Sequence, residues 1–168
     1  FIEPGKAPDK FPDYAEFVVK PAVGAGSRDT QRYLAKDRAA AIAHTKKLLD
    51  QKRSVLVQPY LADVDTKGET ALIFFKGIFS HAIRKGPLLQ LDEGPTSHLF
   101  APEAITAREP SGEELEVAHK VLAAMPFTSL AYARVDLLPS SQGPMLLELE
   151  LTEPSLFFEH APGSAERF

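Results

Sequence analysis

LAYARVDLLP at 130–139 and PMLLELELT at 144–152, joined by SSQG at 140–143, decide the fold. Both runs are rich in β-forming residues and the link is polar and short, which predicts two antiparallel strands. Side chains alternate along a strand. Glu148 and Glu150 therefore point one way, against Leu147, Leu149 and Leu151, and Arg134 shares a face with Asp136. If the two faces align, Asp136, Glu148 and Glu150 make one carboxylate cluster. Such a cluster repels itself unless a cation sits within it, and a hard divalent ion is the natural choice. Read alone, LELEL is more often an amphipathic strand with its glutamates in water; an Asp within RVDLL on the adjacent strand brings the metal reading level with it. Alignment requires Asp136 opposite Glu148 and Arg134 opposite Glu150, which predicts a connection of odd length centred on Gln142. An even connection pairing Leu138 with Met145 would set Asp136 against Leu147 and turn the glutamates away. The expected closeness should raise at least one carboxyl pKa, with Arg134 offsetting part of this by pairing with Glu150.

Upstream, EFVVK (16–20) reads as a strand emptying into the small, glycine-rich PAVGAGSRD (21–29). DRAAAIAHTKKLLDQK (37–52) reads as a helix capped by Asp37. SVLVQPYL (54–61) reads as a strand closed by Pro59. GETALIFFKGIFSHAIRK (68–85) predicts a hairpin turning at Lys76-Gly77. Residues 86–110 are rich in Pro and polar side chains and resist assignment, as functional loops often do. Ser111 and Glu114 predict a capping box, opening a helix with Leu115, Ala118, Leu122 and Met125 towards the core. Strand-rich segments with helices laid on them give an α+β class with mainly antiparallel sheets.

The composition sets bounds. The chain has 168 residues, 23 acids and 19 bases, for a net charge of −4, with 44% hydrophobic and 25% charged residues. These proportions predict a globular chain of one domain or two small lobes. The acidic balance with dispersed Lys and Arg speaks against a nucleic-acid backbone as partner. Zero cysteines exclude a disulfide framework, a thiolate zinc site and a cysteine nucleophile. No apolar run has membrane-spanning length and no signal peptide is visible, so the expected location is the cytoplasm. Opening on Phe1-Ile2-Glu3-Pro4 and stopping at Arg167-Phe168, the chain reads as a piece of a longer protein.

Three further features bear on chemistry. Lys20 ends a strand just before a glycine-rich loop, where backbone N–H groups and an ammonium suit a phosphate. The loop is neither a Walker A motif nor the dinucleotide fingerprint, and taken alone it is more often an ordinary turn. Arg84-Lys85 close a strand whose partner begins at Glu69, an arrangement also found at solvated strand ends. The five histidines (His44, His81, His98, His119, His160) show no metal-ligand spacing, and no G-x-S-x-G elbow appears.

In order, Val-Lys-Pro, a glycine-rich loop, VQPYL, Val-Asp-Leu and a closing Glu-x-Glu strand resemble the ATP-grasp superfamily. The likeness runs from about Glu16 to Phe158 and is nearest to the glutathione synthetase-like, carboxylate–amine ligase branch. It implies ATP held between two α+β lobes, residues 1–57 and 58–168, hinged at 58–61, with the branch's amino-terminal substrate domain absent from this chain. It implies that Lys20 meets the α/β-phosphates and that Gly24, Gly26, Ser27 and Arg28 cover the triphosphate. Gln58, Pro59, Tyr60 and Leu61 would line the adenine edge, Glu69 the ribose, and Arg84 the transferring phosphoryl group. Asp136, Glu148 and Glu150 would hold two Mg²⁺, with Mn²⁺ as a substitute, Glu148 bridging. Two departures stand out: many relatives carry Asn at the position of Glu150, and often Arg at that of Ala71.

The implied reaction makes an acyl-phosphate from a small carboxylate and ATP, then lets an amine displace phosphate. Positioning and charge neutralisation dominate such chemistry. The expected partners are those small-molecule substrates, with no nucleic acid and no membrane, and with self-association left open. The rival reading is an ATP-binding module without chemistry of its own. A glycosidase using Glu148 and Asp136 ranks last, since a sugar cleft wants aromatics and the chain has no Trp.

Overall fold

The computed structural model describes residues 1–8, 11–24, 26–91, 94–95, 104–126 and 129–168. The chain divides into two compact units, Phe1–Tyr60 with Leu88–Pro102, and Leu61–Pro87 with Glu103–Phe168.

In the first unit, β1 (Glu16–Pro21) is the centre of a three-stranded sheet, flanked by β2 (Gln31–Leu34) and β3 (Val55–Pro59), all antiparallel. Helix α1 (Arg38–Asp50) covers one face. Alternation sends Phe17, Val19, Tyr33 and Val55 to that face, where they bury against Ala41, Leu48 and Leu49. The other face carries Glu16, Lys20, Arg32 and Gln58, read from the pairs Glu16↔Leu34, Val18↔Arg32 and Val18↔Gln58. Strand β2 was not expected, because QRYL is too short to signal itself. It forms by folding back on β1, which makes the glycine-rich stretch the turn of a hairpin. Helix α1 starts one residue later than expected, after a 3₁₀ turn at Ala35–Asp37, and the Asp37 side chain makes no capping bond. Pro59 closes β3 at a sheet edge, where its missing N–H costs least. The entry segment is tied down by Ile2, whose backbone exchanges two hydrogen bonds with Val55.

The second unit begins with a single helical turn, α2 (Val64–Lys67), and holds a five-stranded antiparallel sheet in the order β6-β5-β4-β7-β8. The strands are β4 (Glu69–Phe75), β5 (Ile78–Lys85), β6 (Ile105–Arg108), β7 (Tyr132–Leu138) and β8 (Met145–Glu150). Lys76 and Gly77 turn the β4–β5 hairpin with φ of 52° and 79°, as the sequence predicts. Strand β6 lies in the stretch that resisted assignment; it is an edge strand of four residues, and residues 92–93 and 96–103 of that stretch fall outside the described residues. The capping box closes both ways. Ser111 N–H donates to Glu114 at 2.7 Å and Glu114 N–H to Ser111 Oγ at 3.2 Å, opening α3 (Gly112–Ala123). Helix α3 packs Ala118, Leu115, Val121 and Leu122 on Leu72, Phe74, Ala133, Val135 and Leu137. The opposite face carries Glu69, Lys85, His81, Arg134, Asp136, Glu148 and Glu150.

The last hairpin both meets and corrects its expectation. Asp136 pairs with Glu148 and Arg134 with Glu150 as expected, but Leu138 pairs with Met145, so the connection is even. A β-bulge at Leu147 reconciles the two. It places one extra residue on β8 between the turn and the glutamates, and so restores their face.

Candidate functional site

Five charged side chains meet on the face of the second unit's sheet opposite α3. Asp136 is fully buried at the centre. Arg134, two residues back on β7 and thus on the same face, gives it a forked contact, Nε to Oδ1 at 2.8 Å and Nη2 to Oδ2 at 2.9 Å. The same Nη2 donates to Glu150 on β8. Lys85, at the end of β5, donates Nζ to Asp136 Oδ2 at 2.7 Å and to Glu69 Oε1 at 2.5 Å. Sheet pairing dictates this meeting: Glu69 opposes Lys85, and Ala71 is opposed by Asp136 on its other side.

Two cations thus serve several acids unequally. Burial works to raise the Asp136 carboxyl, but the Lys85 ammonium and Arg134 guanidinium outweigh it and hold the group below its ordinary value. Glu69 has only the Lys85 ammonium, and burial pushes it up to about 7. Burial also raises Glu150, with Glu148 and Asp136 adding to the shift against the pull of Arg134. That is the expected sign, although desolvation exceeds repulsion as its cause. Lys85 stays firmly charged, because its two acids overcome the cost of burying an ammonium.

One oxygen from each of Asp136, Glu148 and Glu150 lies within 4.8 Å of the others. A Mg²⁺ bonded at about 2.1 Å spans oxygens up to about 4.2 Å apart, so side-chain rotation of a few tenths of an ångström brings all three into reach. The hard oxygen donors and the excess of carboxylates over cations fit a divalent ion. Arg134 bonds Asp136 and Glu150, and among the described residues no cationic side chain bonds Glu148.

Arg84 does not join this group. It opposes Thr70, whose other neighbour is Leu137, so alternation puts it on the α3 face. Its guanidinium donates to the carbonyls of Lys67 at 2.9 Å and Thr66 at 3.2 Å, clamping the end of α2. The cations at the carboxylates are instead Lys85 and Arg134. Lys85 stood next in sequence to the residue expected, and strand parity relative to Glu69 was the signal that picks it out. Arg134 was legible as a face-mate of Asp136, but its fork to that carboxylate was not.

In the first unit, Lys20 sits half-buried at the end of β1, opposite Leu56 and on the face away from α1. Gly24 and Arg28 are exposed in the turn that follows, while Gly26, Ser27 and Asp29 adopt φ near 60°, the left-handed region. Ala25 between them lies outside the described residues. Arg53 anchors the far end through Asp29 at 2.5 Å, and its hydrogen bond lowers that carboxyl. On the same face Arg32 bonds Glu16 at 2.6 Å and lays its guanidinium 3.6 Å over the ring of Tyr60. Gln58 and Pro59 finish β3, and Leu61 accepts the first hydrogen bond of the turn that becomes α2.

No protein-family model matches the chain. Over 163 residues it is 40% identical to the cycloserine biosynthesis protein DcsG of Streptomyces lavendulae, a match covering 94% of this chain and 54% of that protein. The chain thus spans about half the length of the curated relative it matches. The crystal structure of D-cycloserine synthetase DcsG superposes with a TM-score of 0.86 at 37% identity, over 97% of this chain and 59% of that one. D-alanine–D-alanine ligase from Bacillus anthracis complexed with ATP gives 0.57 at 21% identity, over 90% and 46%. The ATP-grasp ligase PsnB, complexed with minimal precursor, Mg and ADP, gives 0.55 at 23%, over 87% and 41%. The last two are likenesses of fold alone.

Proposed function

We propose that the chain is an ATP-grasp protein and that it carries the ATP and magnesium site of a carboxylate–amine ligase. The observation that carries this reading is the register of β7 and β8, which sets Asp136 against Glu148 and Arg134 against Glu150 on one face. A module that merely bound nucleotide would have no use for three converging carboxylates beside two buried cations.

The proposed roles follow from placement. Asp136, Glu148 and Glu150 hold the metal, two ions being accommodated if Glu148 bridges. When bound, magnesium supplies charge neutralisation to the transferring phosphoryl group. Lys20 and the backbone of Gly24, Gly26, Ser27 and Arg28 meet the phosphates, Gln58 to Leu61 the adenine, and Glu69 the ribose. The role first given to Arg84 passes to Arg134 and Lys85, because these reach the carboxylate face. A substrate carboxylate oxygen attacks the γ-phosphorus and ADP leaves; an amine then attacks the acyl carbon, phosphate leaves and the amine's proton goes to water or phosphate. Arg134 and Lys85 are placed to stabilise the negative charge that builds up in both steps.

Relatives named for D-cycloserine and for D-alanine–D-alanine ligation support small amino-acid-derived substrates. Among the described residues no helix is long and apolar enough to cross a membrane. An enzyme spending ATP on biosynthesis belongs in the cytoplasm. The test is ADP release by the full-length protein, offered a panel of amino acids and hydroxy acids with Mg²⁺. Release that requires both an acid and an amine supports a ligase; nucleotide binding without such release supports the binding module.

A further inference from the structure

The segment after β8 is not an idle tail. Tyr132 Oη donates to the Thr152 carbonyl at 2.5 Å, and Arg134 Nη1 reaches the Ser155 carbonyl at 3.4 Å. His81 Nε2 lies 2.8 Å from the Leu156 carbonyl, which only accepts, so that nitrogen carries the proton. Phe158 then packs its ring on Phe75 and Phe168. Three side chains of β5 and β7 therefore strap residues 152–158 across the carboxylate face. Between the last two anchors stands Phe157, with φ 50° and ψ 40°. That left-handed conformation is unfavourable for a bulky residue and persists only where its surroundings impose it, often at functional sites. Its consequence here is local: the ring is set against the Arg134 guanidinium, 5.7 Å from centroid to Cζ.

We propose that Phe157 is a positioning residue, whose strained turn holds its ring against Arg134 so that this cation keeps its fork on Asp136 and presents its Nη1 edge to an oxyanion of the reacting substrate. The proposal rests on the ligase reading for the identity of that oxyanion, but not for the contact itself. Arg134 uses Nε and Nη2 on Asp136 and Glu150, whereas among the described residues Nη1 has only the long bond to Ser155. A guanidinium satisfied along one edge pivots about that edge. An aromatic face within about 6 Å attracts the cation and restricts the pivot.

The experiment uses the full-length protein with Phe157→Gly, which suits a left-handed φ, and Phe157→Tyr, which keeps the ring. Without ligand, the Arg134 Nε–Hε resonance is identified by its loss in Arg134→Lys. It should carry a ring-current shift that vanishes in Phe157→Gly and stays in Phe157→Tyr; an unchanged resonance in Phe157→Gly overturns the contact. With Mg·ADP, aluminium fluoride mimics the phosphoryl group in transfer. Phe157→Gly should lose about tenfold of the affinity gain that fluoride confers, and Phe157→Tyr should regain it. An undiminished gain in Phe157→Gly overturns the positioning role, as does a loss that Phe157→Tyr does not restore. If the wild type binds no Mg·ADP, the ligase reading falls, and the resonance alone decides whether ring and guanidinium meet.

Discussion

Asp136 stands directly opposite Glu148, although the connection between their strands has the even length that sets them on opposite faces of an ordinary hairpin. Leu147 is the reason. As the extra residue of a bulge it breaks the alternation once, and the chain beyond it resumes with both glutamates on the Asp136 face. Deleting Leu147 should therefore be tolerated: Leu146 stays opposite Leu137, and Glu148 moves up against Asp136 without a bulge. Circular dichroism and Mn²⁺ binding of that deletion should resemble the wild type. Lost metal binding in a folded deletion variant would show that the bulge has another task.

Gly68 ends α2 with φ 73°, and a Cβ there would lie 2.5 Å from the Lys85 carbonyl oxygen and 2.7 Å from Arg84 Nε. Backbone cannot yield as a flexible side chain does. Gly68→Ala should destabilise the protein by about 1–3 kcal/mol from conformation alone, with the clash in addition. Thermal denaturation measures this, and an unaltered midpoint would contradict the close approach.

Adjacent Arg84 and Lys85 should separate cleanly. Arg84→Ala removes a clamp on α2 and should lower the melting temperature, while leaving the carboxylate face intact. Lys85→Met strips Asp136 and Glu69 of a shared buried cation, a change that costs about 3–5 kcal/mol where one partner of a buried pair is removed. Mn²⁺ affinity of the folded protein should change for Lys85→Met only. A shift of similar size for Arg84→Ala would return Arg84 to the site.

Glu69 gives a pH dependence of definite sign. Its carboxyl rises from an ordinary 4.5 to about 7 on folding, with burial the first cause. The folded state then binds this proton more tightly than the unfolded chain, so stability contributed here falls as pH rises from about 4.5 towards 7. Asp136 acts in reverse: held below its ordinary 3.8, it contributes stability that is lost only on acidification past that value. Glu69→Gln should flatten the urea-denaturation profile between pH 5 and 7, by about the span those values define. A wild-type profile that rises through this window would contradict the assignment.

Much of this arrangement is legible in the sequence. Period-two alternation in RVDLL and LLELE placed the three acids on one face, and Ser111 with Glu114 announced α3. What the sequence could not carry has physical reasons. A bulge is one residue of slack with no composition of its own, so the loop-length argument at Gln142 failed while the register it served held. Strands β2 and β6 are four residues each and owe their form to a neighbour's free edge. Resemblance marks a strand end and not which of two adjacent residues, Arg84 or Lys85, faces the acids. Parity counted from Glu69 would have chosen Lys85.

The central claim is that the Asp136 face holds a metal–nucleotide complex. Calorimetric titration of the full-length protein with Mg·ADP, beside Asp136→Asn, tests it most directly. Asparagine keeps the size and one acceptor oxygen, but it replaces the other oxygen with a donor NH2 and removes the charge shared by metal, Lys85 and Arg134. The account predicts binding by the wild type and an affinity at least about tenfold weaker in Asp136→Asn, with the protein still folded. Equal affinity for Mg·ADP in the two proteins would contradict it.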